Sequence, residues 1–176
     1  IAVSGGIDSM VLVDLCLKLK LNFEILHCNF KLRDEESDGD MEFIVSYCGN
    51  NKIKYKTICF ETKGVAETHK ESIQITARNL RYKWFNEQLQ ENNVSFLATA
   101  HHLDDSLETF LINLSRGTGI EGLTGIPERN DKIIRPLLPF SRIEIEEYAN
   151  ENKIQWREDS SNASNKYVRN KLRHDV

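Results

Sequence analysis

The chain opens on three apolar residues, Ile1-Ala2-Val3, and breaks at once into Ser4-Gly5-Gly6-Ile7-Asp8-Ser9. A run follows that is apolar at 10, 11, 12, 13, 15, 17 and 19, the spacing of a well-buried helix from Ser9 to about Leu21. A strand that turns into a helix through two adjacent glycines is a strong constraint. It puts the turn at the carboxyl end of the strand and the amino end of the helix, where open parallel sheets bind ligands. Free amides and the helix dipole attract anions there, and Gly5-Gly6 lets the backbone approach a phosphate closely. Ser4 and Ser9 add hydroxyl donors. The bland alternative is a tight turn capped by Asp8 or Ser9. Neither GxxxxGK[ST] nor GxGxxG is present, so this is not one of the two common phosphate loops. With no lysine in the turn, phosphate charge falls to backbone amides or to a metal. Asp8 would repel a phosphate directly, and Mg2+ between the two is the natural arrangement.

Strand-like and helix-like stretches keep alternating. FEILHCN (23–29), IKYKTICF (53–60) and VSFLATA (94–100) read as strands. Residues 34–42 hold six carboxylates and no cation, and a helical pattern runs from Asp38 to about Asn50. Ser72 is the expected cap of a long helix to about Asn92, with Ile73, Ala77, Leu80 and Trp84 as its stripe. Asp104 or Asp105 starts another helix to about Ser115. Such alternation implies crossover units, hence an α/β fold: a parallel twisted sheet with helices on both faces, Rossmann-like. Length fits one domain over 1–176. Only three residues precede the turn, short for a strand, and the last helix-like stretch stops without a cap. The expectation is the front domain of a longer protein, cut at both ends.

Composition matters for what it excludes. No window nears the roughly 18 uninterrupted apolar residues of a membrane span, and no secretion signal is visible. A net charge of −4 rules out an overall basic nucleic-acid binder but leaves room for a local basic patch. Cys16, Cys28, Cys48 and Cys59 form no CxxC pair, which argues against zinc-ribbon, iron–sulfur and redox-pair chemistry. Each lies in an apolar run and is expected to be a reduced core thiol in a cytoplasmic protein.

SGGIDS after a first strand resembles the pyrophosphate loop of N-type ATP pyrophosphatases, the PP-loop superfamily, which cleave ATP between its α and β phosphates. Three further stretches narrow the resemblance. HCNFKLRDEESDGD (27–40) is similar to HxNHxLRxxESxxD, with Phe30 in place of the usual His. ATAHHLDDSLETFLINLSRGTGIEGLTGIP (98–127) is similar to AHHxDDxxET…RGTGxxGLxGI. Residues 133–174 resemble the run RPLL…R.EI..Y….W.EDxSN…..RN.xRH. Together they resemble tRNA(Ile)-lysidine synthetases. The resemblance implies a ligase that adenylates O2 of the wobble cytidine in the CAU anticodon of a minor tRNA(Ile). The ε-amine of L-lysine then displaces AMP, changing the codon read from AUG to AUA. ATP, Mg2+, L-lysine and the tRNA are the implied cofactors and partners, and a homodimer stays open.

On that resemblance, ATP lies on Ser4, Gly5, Gly6, Ile7, Asp8 and Ser9, with Cys28 and Asn29 nearby at a strand end. Asp8 holds magnesium. Asp105 and Glu108 are i, i+3 on a helix and can both face the lysine ammonium. His101 can bind phosphate or move a proton, while His102 reads as structural. Four glycines between Arg116 and Pro127 read either as a helix C-cap with turns or as a mobile loop admitting the base, with Arg116 and Gly117 on substrate. Residues 157–176 carry a net charge of +2 against −6 over 34–42, and Arg169 and Arg173 are expected on tRNA or departing pyrophosphate. Arg78 and Arg81 read as solvated surface opposite the apolar stripe, with tRNA contact as the alternative. A tRNA thiolase, an ammonia-using synthetase and a non-catalytic nucleotide-binding module remain rivals.

Overall fold

The computed structural model describes residues 1–91, 94–119 and 123–158. Two strands, β1 (Glu24–Asn29) and β2 (Lys54–Cys59), pair in parallel with Glu24 opposite Lys54 and Asn29 opposite Cys59. Two short strands, β3 (Leu97–Ala98) and β5 (Ile133–Ile134), also pair in parallel, and β4 (Arg129–Asn130) runs antiparallel to β5. Residues 1–3 join the halves into one layer. Val3 N–H donates to Leu26 at 3.0 Å, Leu26 N–H to Ile1 at 2.8 Å, and Ala2 N–H to Ala98 at 2.9 Å. The spatial order is therefore β2, β1, residues 1–3, β3, β5, β4. The opening tripeptide sits mid-sheet, and everything after Val3 emerges at the sheet's carboxyl edge.

Successive strand residues face opposite sides, and two cores follow from that. Ile1, Val3 and Ile25 join a core with Met10, Leu12, Ile44 and Ile145, supplied by α1 (Ile7–Lys18), α2 (Glu35–Asn51) and α6 (Arg142–Glu151). Leu26 and Leu97 join the opposite core with Trp84, Phe85 and Leu89 of α4 (Ile73–Glu91). Helices on both faces make the expected α/β fold. The remaining helices among the described residues are α3 (Thr62–His69) and α5 (Leu103–Ser115).

Several expectations need correction. Helix α2 begins at Glu35 rather than Asp38, because carboxylates in a first turn complement the helix dipole. Ser72 does cap α4, its Oγ accepting from Ile75 N–H at 3.3 Å. The buried stripe of α4, however, is Thr76, Ala77, Trp84, Phe85, Gln88 and Leu89, and Ile73 is exposed. The 94–100 strand shrinks to Leu97–Ala98. Cys16 and Cys48 are buried and Cys28 half-buried, but Cys59 is exposed on edge strand β2, whose alternate residues are exposed. Helix α6 and strands β4 and β5 lie in a stretch whose periodicity had not marked them.

Candidate active site

The loop from Ser4 to Ser9 is held from within. Gly5 takes φ +98°, a conformation that favours glycine. Ser9 Oγ donates to Gly6 carbonyl at 2.8 Å and accepts Gly5 N–H at 3.2 Å, and Gly6 N–H reaches Ser4 Oγ at 3.3 Å. Ser9 is 4% exposed, so its one hydroxyl hydrogen is spent stapling the loop rather than offered outward. Gly6 is the N-cap of α1, and no side chain caps that helix. Neither Asp8 nor Ser9 fills that role. The first-turn amides are thus available to an anion. Ile7 sits in the core and can contribute only its backbone.

Beside this loop opens a cleft of about 290 Å³ at the carboxyl edge of the sheet. Ser4, Asp8 and Ser9 line one side, and Thr99, His101 and Asp105 another. Cys28, Phe30, Tyr82, Phe85 and Arg81 form the wall opposite. Arg81 stands over the Phe30 ring at 5.0 Å, and Phe30 stacks on Phe60 at 5.5 Å. A flat apolar wall with a guanidinium at its mouth suits a planar heterocycle. Arg81 is exposed, as expected of surface, yet it follows Ala77 by four residues and precedes Trp84 by three. Helical spacing puts it beside the buried face of α4, where it reaches the cleft mouth, a placement the surface reading did not include. Burial pushes the Cys28 thiol up to about 12, so it is a neutral lining group.

The acids converge on one corner. Asp8 Oδ1 accepts from the Arg142 guanidinium at 2.5 Å. Asp104 Oδ2 accepts from Arg142 N–H at 2.8 Å, capping α6, and Asp105 Oδ2 accepts from His102 N–H at 3.1 Å, tying down α5. His102 is buried between them, 4.0 Å from Asp8, 3.6 Å from Asp104 and 3.5 Å from Asp105. Its structural reading fits this N-cap position. His101 hydrogen-bonds Thr99 through Nδ1 at 2.9 Å and faces the cleft. Among the described residues no trio of His, Cys, Asp or Glu is grouped to hold a metal. Asp8, at the loop, is the kind of ligand magnesium takes, one or two carboxylates together with substrate phosphates.

Other assigned residues stand elsewhere. Asn29 is 2% exposed, with its amide spent on Asp38 at 2.8 Å and on Lys31 N–H at 2.9 Å, so it braces the β1–α2 loop and does not line the cleft. Glu108 is buried one turn beyond Asp105 and is not among the cleft-lining residues. Arg116 caps the far end of α5, about 20 Å along the helix from His102. Gly117 follows at φ +65°, with its N–H on Leu114 in the helix-ending turn, and is not among the residues lining the cleft. Arg169 and Arg173 lie outside the described residues.

A family model described as a PP-loop domain matches residues 1–176. The tRNA(Ile)-lysidine synthase of Porphyromonas gingivalis (strain W83) is 45% identical over 179 residues, covering 100% of this chain and 39% of the relative. The tRNA(Ile)-lysidine synthase of Chlorobaculum tepidum is 44% identical over 180 residues, covering 100% of this chain and 54% of the relative. The chain thus spans roughly two fifths to one half of these relatives. Among solved structures, the U34-tRNA thiolase NcsA from Methanococcus maripaludis with its [4Fe-4S] cluster superposes with a TM-score of 0.77 at 20% identity, covering 99% of this chain and 63% of that one. The NMN synthetase from Francisella tularensis gives a TM-score of 0.61 at 17% identity, covering 87% and 60%. At such identities the likeness is one of fold.

Proposed function

The chain belongs to the PP-loop domain family, and from that premise we propose that it is the ATP-using catalytic domain of a tRNA(Ile)-lysidine synthetase. The observation that carries this reading is the 45% identity to a lysidine synthase over 179 residues, which covers the whole of this chain. ATP phosphates rest on the uncapped amides of α1 and on Ser4, with the adenine against Phe30 and Tyr82. The wobble cytosine O2 attacks the α-phosphorus and pyrophosphate leaves. An anticodon base comes from a single-stranded loop, so presenting it costs only some unstacking. The lysine ε-amine then adds to ring carbon 2 and loses a proton, the C2–O2 bond breaks, and AMP departs carrying O2. Asp8 is the residue that would hold magnesium, whose charge offsets that of the phosphates. Asp105 draws the lysine ammonium into the cleft, and His101 is positioned to hold phosphate or accept the proton. Most of the acceleration comes from holding the reactants together and stabilising charge.

Incubating the full-length protein with labelled L-lysine, ATP and bulk bacterial tRNA tests the reading. Lysine should enter RNA with one AMP and one pyrophosphate released per turnover. Turnover of ATP with no lysine in RNA would transfer the chain to another PP-loop activity.

A further inference from the structure

The phosphate loop has a support outside itself. Gly5 carbonyl accepts the backbone N–H of Arg157 at 3.0 Å. Arg157 also reaches Asp40 on α2, its Nε donating to Oδ1 at 2.7 Å, while Arg33 donates to Oδ2 of the same carboxylate at 2.8 Å. Asp40 is well shielded, with 13% of its side chain exposed. Behind the loop, Phe43 and Ile44 of α2 stand 3.8 and 3.9 Å from where a Gly5 Cβ would be. Helix α2 therefore carries both the backing of Gly5 and the anchor of residue 157.

Peptide geometry says what this does. The bond between Gly5 and Gly6 is trans, so its C=O and N–H point to opposite sides. With the carbonyl held by Arg157, the Gly6 N–H must face away, and it is found on Ser4 Oγ, at the cleft wall. We infer that Arg157 is a positioning residue: clamped by Asp40, it fixes the Gly5–Gly6 peptide so that the Gly6 N–H is aimed at the phosphates of bound nucleotide. A second observation supports the clamp. Gly39 lies inside α2, where alanine would be the better helix former. A Cβ there would stand 3.0 Å from Arg157 Nη2 and 3.3 Å from its Cζ. The missing side chain leaves room for the guanidinium.

The inference rests on the reading that the loop binds nucleotide phosphates, and the experiment separates the two. Affinities for ATP and for adenosine are measured by calorimetry on the full-length protein, alongside melting temperature, for Arg157→Ala, Arg157→Lys and Gly39→Ala. Losing one aimed, charge-assisted N–H should weaken ATP binding about tenfold in Arg157→Ala, with adenosine unchanged because it has no phosphate. Arg157→Lys should fall between. Gly39→Ala should weaken ATP in the same direction without lowering the melting temperature, since alanine favours the helix; a general loss of structure would not do that. Variants that bind ATP like the parent, or that lose adenosine in parallel with ATP, overturn the inference alone. A parent that binds ATP no better than adenosine overturns the nucleotide reading and the inference together.

Discussion

The return of the glycine-rich segment onto α5 can be tested quantitatively at Gly125. This residue has φ +71°, and a Cβ added there would lie within van der Waals overlap of Ser106 Oγ. The same Oγ accepts Ile126 N–H at 3.1 Å, and Ser106 adjoins Asp105 in the cleft. Gly125→Ala incurs a left-handed conformation, about 1–2 kcal/mol, and displaces Ser106 Oγ from Ile126, about 1 kcal/mol more. The total, about 3 kcal/mol, corresponds to a melting temperature lowered by roughly 8 °C in a domain of this size. Removing the hydroxyl with Ser106→Ala should cost about 1 kcal/mol, the hydrogen bond only. In the double variant the overlap and the hydrogen bond have already gone, so it should be no less stable than Gly125→Ala alone. Thermal or urea unfolding of the four proteins gives the coupling directly. Strict additivity would refute the reasoning, because it would mean that Ser106 and residue 125 do not meet.

Three other outcomes are expected. Burial holds the His27 imidazole below its ordinary value, against the pull of its bond to Val3 carbonyl. The unfolded chain therefore takes up the proton first as pH falls through about 6.5, and stability is lost below that point; His27→Asn should flatten the fall in melting temperature between about pH 7 and 5, and an unchanged slope would count against it. Of the four thiols only Cys59 is exposed, whereas burial pushes Cys48 up to about 11 and Cys28 to about 12; a thiol reagent should show one fast phase that Cys59→Ser removes. Arg142→Ala leaves Asp8 unanchored: the half-exposed pair contributes about 1 kcal/mol or less to stability, but pyrophosphate release should fall at least about tenfold, measured as initial rate, and equal losses of fold and rate would refute a role at the site.

Much of this was legible in the sequence, for reasons of range. The glycine turn, β1, β2 and helices α1, α4 and α5 follow from periodicity and caps within a few residues of each element. Helix α6 announced itself through Ser141-Arg-Ile-Glu144, a capping box in which Ser141 N–H reaches Glu144 at 2.7 Å; that signal was present and unread. Arg81 was legible too, once Ala77 and Trp84 are taken to share its face. Asn29 was misassigned because a strand end places a residue near the cleft without saying which way the amide turns; a partner nine residues on, Asp38, decides it. The pairing of Asp8 with Arg142 spans 134 residues and is set by how α6 docks on α1, through Tyr148 on Asp14 at 2.8 Å. No local pattern encodes such a contact.

That long-range pairing bears on how one cleft can take both a polyanion and an amine. Asp8, Asp104 and Asp105 all approach His102 within 4.0 Å, so the corner beside the loop is acidic before any substrate arrives. Phosphates placed there without compensation would meet like charge at close range, a cost of several kcal/mol in a partly dry site. Arg142 offsets Asp8 from behind, the α1 amides face the phosphates from the loop, and Arg81 adds a cation at the cleft mouth. Asp105 lines the cleft from α5, with its Oδ2 accepting the His102 N–H at 3.1 Å and standing 3.5 Å from the imidazole. The corner thus sets an acid held by arginine at the loop beside a second, cleft-lining acid on α5. In the proposed reaction the nucleotide lies against the loop and the ammonium group meets Asp105, and the amine is delivered next to the activated base because the two carboxylates line one cleft.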